Sequence, residues 1–231
     1  MTFLESFSQI IAPIFQRCIL NSLKIISLNI KKASPEDIGK LYAEGDVLAT
    51  RLAHLKNTLG LQELMYLSTC NRTEFLIKTN SELDAHYLKS VLLAFNDSLR
   101  QEEIADLVRK LDVYEGSDAI LHLTNVASSL DSMVVGEPQI LAQVKQAYAE
   151  ACQAGSVGTY LKDLIPRAFF VAKKVRTSTQ IGASAVSISS VAVELARKIF
   201  GDLKGKTTLL LGAGEMGELA ARNLLDSGVS Q

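Results

Sequence analysis

Cys70 opens the polar segment Cys70-Asn71-Arg72-Thr73-Glu74, which lies between two apolar runs, Leu64 to Thr69 and Phe75 to Thr79. Runs of this kind read as strands, so the cysteine is expected in a loop at a sheet edge, within reach of a substrate. A cysteine attacks as its thiolate, and a guanidinium such as that of Arg72, together with loop N–H groups, favours that form. The competing reading is that a free cysteine is a small buried hydrophobe. Cys18, although beside Arg17, falls in a helical run, and Cys152 falls in an expected helix, so neither pairs a strand-end loop with an arginine; three cysteines without a CxxC pair argue against a disulfide framework or structural zinc. No metal site is expected. His122 is read either as a packed helix histidine or as a general base, and His54 and His86 as helix-surface residues.

A second chemical signal is Gly212-Ala213-Gly214-Glu215-Met216-Gly217, which follows the strand-like run Thr207 to Leu211 and opens a helix. In this setting GxGxxG suits a dinucleotide: the glycines permit a tight turn and close approach to a pyrophosphate, and the helix start offers free N–H groups. A purely structural turn is the alternative. The residue that distinguishes the ribose forms lies about 20 positions further on, past Gln231, so these residues do not separate NAD from NADP. The chain is expected to stop after the first β-α unit of such a domain.

The elements that must position these groups follow from pattern. Lys24 to Ile30 reads as a strand. Ser34-Pro35-Glu36-Asp37 gives an N-cap, a proline at the first turn and two acids at the positive helix end; the helix it starts is expected to reach Gly60, with Gly45 a point where it can kink. Helices are expected over Glu82 to Phe95 and Glu102 to Lys110, giving β-α-β-β-α. After Gly116 the chain reads as successive helices. One is capped by Ser117 and carries His122, one starts at Pro138 and stops at Gly155, and two more cover about Tyr160 to Ser178 and Ser187 to Phe200. Residues 1–22 read as an amphipathic N-terminal extension interrupted at Pro13, with a packing role rather than a targeting one.

Composition sets outer bounds. A chain of 231 residues with 48% hydrophobic content can bury a real core. With 24 basic and 25 acidic residues the net charge is -1, which gives no global field toward DNA or an anionic membrane. No apolar run approaches the roughly 18 residues of a membrane span. Lys162, Arg167, Lys173, Lys174 and Arg176 against Asp163 form a local basic stretch with Phe169 and Phe170. It is read as a solvated helix face, with contact to tRNA phosphates as the alternative.

Two stretches carry a family resemblance. Ser68-Thr69-Cys70-Asn71-Arg72-Thr73-Glu74 resembles the STCNRTE signature of glutamyl-tRNA reductase, and the stretch from Leu130 to Leu141, which includes Val135-Gly136-Glu137-Pro138-Gln139, resembles that family's second signature. The Gly182 to Ser187 run and the Gly212 to Gly217 turn continue it. One departure is visible: where the family has Asn-His-Lys after the first strand, this chain has Asn29-Ile30-Lys31-Lys32. The resemblance implies an α+β catalytic domain (23–180), then a linking helix and the start of a Rossmann-like NADP-binding domain (181–231).

It further implies NADPH-dependent reduction of glutamyl-tRNA(Glu) to glutamate-1-semialdehyde in the cytoplasm, the first step of the five-carbon route to 5-aminolevulinate and tetrapyrroles. Cys70 would be the nucleophile and His122 a second residue important for activity. Thr69, Asn71, Arg72, Ser132, Glu137, Pro138, Gln139 and Gln143 would contact substrate, with Arg72 as a fork for its carboxylate; helix capping is the plain alternative for Ser132 and Glu137. Glutamate-1-semialdehyde aminomutase is a candidate partner. The resemblance also implies a homodimer for the full-length family, formed by a helical domain that is expected to be absent from these residues. The rival readings are a thiol-dependent acyl or aldehyde dehydrogenase acting on a small substrate, and a non-catalytic fragment that binds tRNA or a partner.

Overall fold

The computed structural model describes residues 22–137, 139–179, 181, 188–212 and 215–230, with only the backbone of 188, 189, 215 and 216. The N-terminal extension, Pro138, the Gly182 to Ser187 run, Ala213 and Gly214 lie outside the described residues.

Strand β1 (Leu23–Asn29) is followed by helices α1 (Pro35–Lys40) and α2 (Gly45–Thr58). The hairpin β2 (Glu63–Thr69) and β3 (Arg72–Lys78) leads to α3 (Ala85–Phe95), α4 (Gln101–Lys110) and β4 (Asp112–Glu115). Next come α5 (Gly116–Ala127), α6 (Gln139–Gln153) and α7 (Thr159–Ser178), then α8 (Ile188–Phe200) and α9 (Glu215–Asp226). The strands form one antiparallel sheet in the order β2-β3-β1-β4. The expected α+β class is observed.

Strand alternation divides the core in two. Ile26, Leu28, Leu64, Tyr66, Phe75 and Ile77 face α1 to α4, while Leu23, Ile25, Met65, Leu67 and Leu76 face α5 to α7. The second face changes character toward the hairpin tip, where Ser27, Asn29, Arg72 and Glu74 are also buried. Buried polar groups need partners, and those partners build the site.

Several expectations are corrected. The helix expected from Pro35 to Gly60 is two helices. Ser34 caps the first as expected, accepting from the Asp37 N–H at 3.2 Å. The chain then breaks, and Gly45 restarts it with φ +56°. Tyr66 Oη donates to the Leu41 carbonyl at 2.6 Å, which takes up a group freed by the break. Ser117 is not a cap: β4 runs straight into α5, and Glu115 occupies the cap position without a side-chain bond to the helix, its carboxylate accepting instead from Lys24 Nζ at 2.8 Å. β4 is too short, at four residues, to show a strand pattern in the sequence, and its pairing with β1 defines it. The polar segment after Cys70 is mostly strand, with Arg72, Thr73 and Glu74 inside β3.

Residues 207–211 are irregular rather than a strand, with Leu209 and Leu211 exposed by 83% and 88%. A strand needs hydrogen-bonding neighbours, and no described strand lies beside this run. α8 and α9 still pack, with Val193 and Ala196 of α8 and Leu224 of α9 joined by Leu203 and Val229 from the segments that follow each helix. No helix among the described residues is long and apolar enough to cross a membrane, and no group of three or more potential metal ligands occurs among them.

Candidate active site

Thr69 pairs with Arg72, so only Cys70 and Asn71 form the hairpin tip. Cys70 is exposed. The Asn71 N–H donates to Thr69 Oγ1 at 3.2 Å, and its carbonyl accepts from the Ile30 N–H at 2.9 Å, which ties the tip to the end of β1.

The loop after α5 comes up against this tip. Its two ends are joined: the Gly136 N–H donates to the Ser129 carbonyl at 3.0 Å, and Ser129 Oγ donates to the Glu137 carbonyl. Ser129 takes a left-handed φ of 62° to make this closure, and Gly136 has φ +89° with Ile181 against it. The closed loop presents Asp131 and Ser132 to the hairpin.

A cavity of about 90 Å³ lies between them. Thr69, Cys70, Asn71 and Arg72 line it from the hairpin, Ser132 and Glu137 from the loop, and Gln139 and Gln143 from α6. Every described residue expected to contact substrate is therefore on one wall or another; Pro138 lies outside the description. Ile30, which stands where the family has histidine, lines the cavity as an apolar side chain. Burial pushes the Glu137 carboxyl above its ordinary range.

His122 is not in this cavity. It is buried on α5, stacked on Tyr114 at 3.9 Å between ring centroids and 11° between planes, and faces a neighbouring cavity of about 740 Å³. Its Nε2 lies 2.8 Å from Glu74 Oε1. That same oxygen accepts from Arg72 Nη1 at 2.8 Å and from Ser27 Oγ at 3.0 Å. Arg72 Nη2 continues the chain to Asp131, at 3.1 Å from Oδ2 and hydrogen-bonded to the Asp131 carbonyl, and Lys31 pairs with Asp131 from β1's end. Glu74 Oε2 is buried without a partner among the described residues.

The electrostatics match the geometry. Burial alone would raise the Glu74 carboxyl, but His122 and Arg72 outweigh it and hold the group below the usual carboxylate range. Burial also opposes ionisation of Asp131, and Lys31 and Arg72 overcome it. Arg72 is held charged by both carboxylates against its burial. Its fork, expected to be open for a substrate carboxylate, already bridges two protein carboxylates. A substrate would meet its other N–H groups or displace Asp131.

Glu74 and Asp131 were not singled out from sequence, although both lie within the quoted motifs. A signal was available for Glu74: with Arg72 it puts two charges on one face of a strand, and such a pair is stable when buried only if it is joined.

In the C-terminal part, Gly212 has φ +115° and a Cβ on Gly217 would lie 3.0 Å from the Gly212 carbonyl oxygen. Gly212 therefore has a backbone that favours glycine, and Gly217 a tight approach to the turn's backbone. The helix start follows, while the strand that would hold the turn is not formed. On α7, Arg167 pairs with Asp163 at 2.8 Å, Phe169 packs edge-on against Tyr148, and Phe170 is exposed. One aromatic of the basic stretch is thus inside and the other outside.

An exposed cysteine at the tip of a hairpin, lining a cavity and followed in the chain by a glycine-rich turn that opens a helix, defines a class of thiol-bearing α+β proteins. The chain belongs to the glutamyl-tRNA reductase family. The family model described as glutamyl-tRNAGlu reductase, N-terminal domain, matches residues 26–179, and that of shikimate / quinate 5-dehydrogenase matches residues 194–231. Glutamyl-tRNA reductase of Maridesulfovibrio salexigens is 43% identical over 211 residues, covering 91% of this chain and 46% of that protein. The protein of the same name from Desulfotalea psychrophila is 47% identical over 199 residues, covering 86% and 46%. The solved structure of glutamyl-tRNA reductase from Methanopyrus kandleri aligns with a TM-score of 0.59 at 37% identity, covering 91% of this chain and 48% of that one. The chain spans about half the length of the curated relatives it matches.

Proposed function

We propose that this chain carries the thiol half of the reduction of glutamyl-tRNA(Glu) to glutamate-1-semialdehyde, the cytoplasmic entry step of tetrapyrrole synthesis. The convergence of exposed Cys70 with Thr69, Asn71, Arg72, Ser132, Glu137, Gln139 and Gln143 on one cavity is the observation that supports this reading. Residues 23–180 serve as the catalytic domain and 181–231 as linking helix and nucleotide-binding start.

The Cys70 thiolate attacks the glutamyl ester carbonyl, the ester C–O bond breaks, and the terminal tRNA hydroxyl leaves with the proton the thiol gave up. The glutamyl group is then a thioester on Cys70, and one difficult step has become two easier ones. The amides of Asn71, Gln139 and Gln143 orient the acyl group, and Arg72 supplies positive charge at the wall. NADPH, when bound, supplies the hydride that releases the aldehyde and returns the thiolate. Gly212 to Gly217 would hold its pyrophosphate, Gly212 by its left-handed backbone and Gly217 by its close approach to the Gly212 carbonyl.

Mixing the 231-residue chain with glutamyl-tRNA and mapping the Cys70 peptide by mass tests the reading. A glutamyl adduct on Cys70 with tRNA release and no NADPH oxidation is expected, because residues 207–211 form no sheet to hold the glycine turn. Acylation by a small glutamyl thioester but not by glutamyl-tRNA would favour the small-substrate dehydrogenase, and no adduct from either would sink both.

A further inference from the structure

Beside the Cys70 cavity runs a larger groove of about 620 Å³ that the proposed chemistry does not use. It follows the outer edge of β2, with α2 on one side and α6 on the other, and Gln143 lines both spaces. β2 is an edge strand of the four-stranded sheet.

Leu64 shows which backbone groups of β2 point outward. Its N–H leaves the β2-β3 ladder and donates to the Ser156 carbonyl at 2.9 Å. In an antiparallel pair the outward set recurs every second residue, so the N–H and C=O of Tyr66 and Ser68 also point away from β3, into the groove. Among the described residues nothing pairs with them. Open edges are templates for another chain, and proteins ordinarily cover or charge them. Here the edge is recessed between two helices, with Leu48 and Leu52 on one wall and Ala147 and Ala151 on the other.

Charge selects the occupant. The charged side chains lining the groove are Glu44 and Glu150, both exposed, and no lysine or arginine lines it. A polynucleotide would bring phosphates against two carboxylates; a peptide with lysine or arginine side chains would complement them. We propose that the groove receives an extended basic segment of a partner protein, added to β2 as a fifth strand. In this mode main-chain bonds give affinity, and alternate side chains give specificity. The inference goes beyond the reaction assigned to Cys70 and does not depend on it. Because Gln143 is shared, the docked segment lies at the rim of the Cys70 cavity.

The probe is acetyl-Val-Lys-Val-Lys-Val-amide, titrated into the whole chain by NMR beside two forms N-methylated at alternate residues and a short single-stranded oligonucleotide. We expect binding at roughly millimolar or tighter and slowed amide exchange at Tyr66 and Ser68. One of the N-methylated forms should bind at least tenfold more weakly, and so should the unmodified peptide to a Glu44→Lys/Glu150→Lys chain whose circular dichroism is unchanged. Absence of peptide binding, equal affinity for all three peptides, unchanged exchange at Tyr66 and Ser68, indifference to the charge reversal, or preference for the oligonucleotide would each overturn the proposal.

Discussion

Arg72 and His122 share one acceptor: Glu74 Oε1 lies 2.8 Å from both Arg72 Nη1 and His122 Nε2. The histidine on α5 and the arginine at the Cys70 cavity are thereby joined through a fully buried carboxylate on the strand between them. On this geometry we propose that His122 acts by setting the arginine, as a positioning residue, rather than by touching a substrate.

That relationship predicts coupling. Glu74→Gln removes the shared charge and should cost about 1–3 kcal/mol of stability, as expected when a buried charged group loses its partner. Acylation of Cys70 should slow in His122→Asn and in Glu74→Gln, and the double variant should be little worse than either alone. Arg72→Lys should slow it at least about tenfold, because an ammonium cannot bridge two carboxylates as the planar fork does. If His122→Asn is as damaging in the Glu74→Gln background as in the native chain, the histidine works independently of this carboxylate.

Among the cysteines, Cys70 is exposed at a hairpin tip while Cys152 is half-buried. With limiting iodoacetamide at neutral pH, Cys70 should be labelled well ahead of Cys152. Peptide mapping by mass reads the order, and equal labelling would remove access as the basis of its reactivity.

Gly136 closes the loop that carries Asp131 and Ser132. A Cβ there would lie 2.5 Å from the Ile181 carbonyl oxygen, on a backbone with φ +89°. Gly136→Ala should therefore cost about 1–3 kcal/mol. Gly155 has φ +62° and open space around it, so Gly155→Ala bears the backbone cost without the clash. Urea unfolding of the two variants should show the larger loss at Gly136; equal losses would mean that Ile181 yields.

Acid should destabilise the fold in a definite window. Asp37 is held well below its ordinary 3.8, first by its hydrogen bond to Lys110, and Asp131 and Glu74 are also depressed. Depressed carboxylates contribute their full stabilisation above their unfolded values, near pH 4, and lose it as pH falls through the lower native values. The urea midpoint should hold between pH 7 and 5 and drop steeply below about 4. Asp37→Asn should flatten that drop, and an unchanged profile would exclude Lys110–Asp37 as a contributor.

Local chemistry was legible in the sequence. The cap at Ser34, the position of Cys70 between two strands, the helix spans on either side of Gly155 and the left-handed backbone at Gly212 depend on a few adjacent residues and on their own backbone torsions. Two short motifs carry most of the residues that line the Cys70 cavity, so their nearness to one another follows from few elements.

Only the tertiary structure decided the rest, because each case turns on a partner far along the chain. Four residues became β4 by pairing with β1. The helix after Pro35 breaks where Tyr66 reaches the Leu41 carbonyl, and the run from Thr207 to Leu211 has no neighbouring strand among the described residues to make it one. The same holds at the site: Arg72 and His122 look like free reagents in the sequence, and become a shared bridge because folding buries Glu74 between them, where an unpaired charge would cost more than the bonds that now satisfy it.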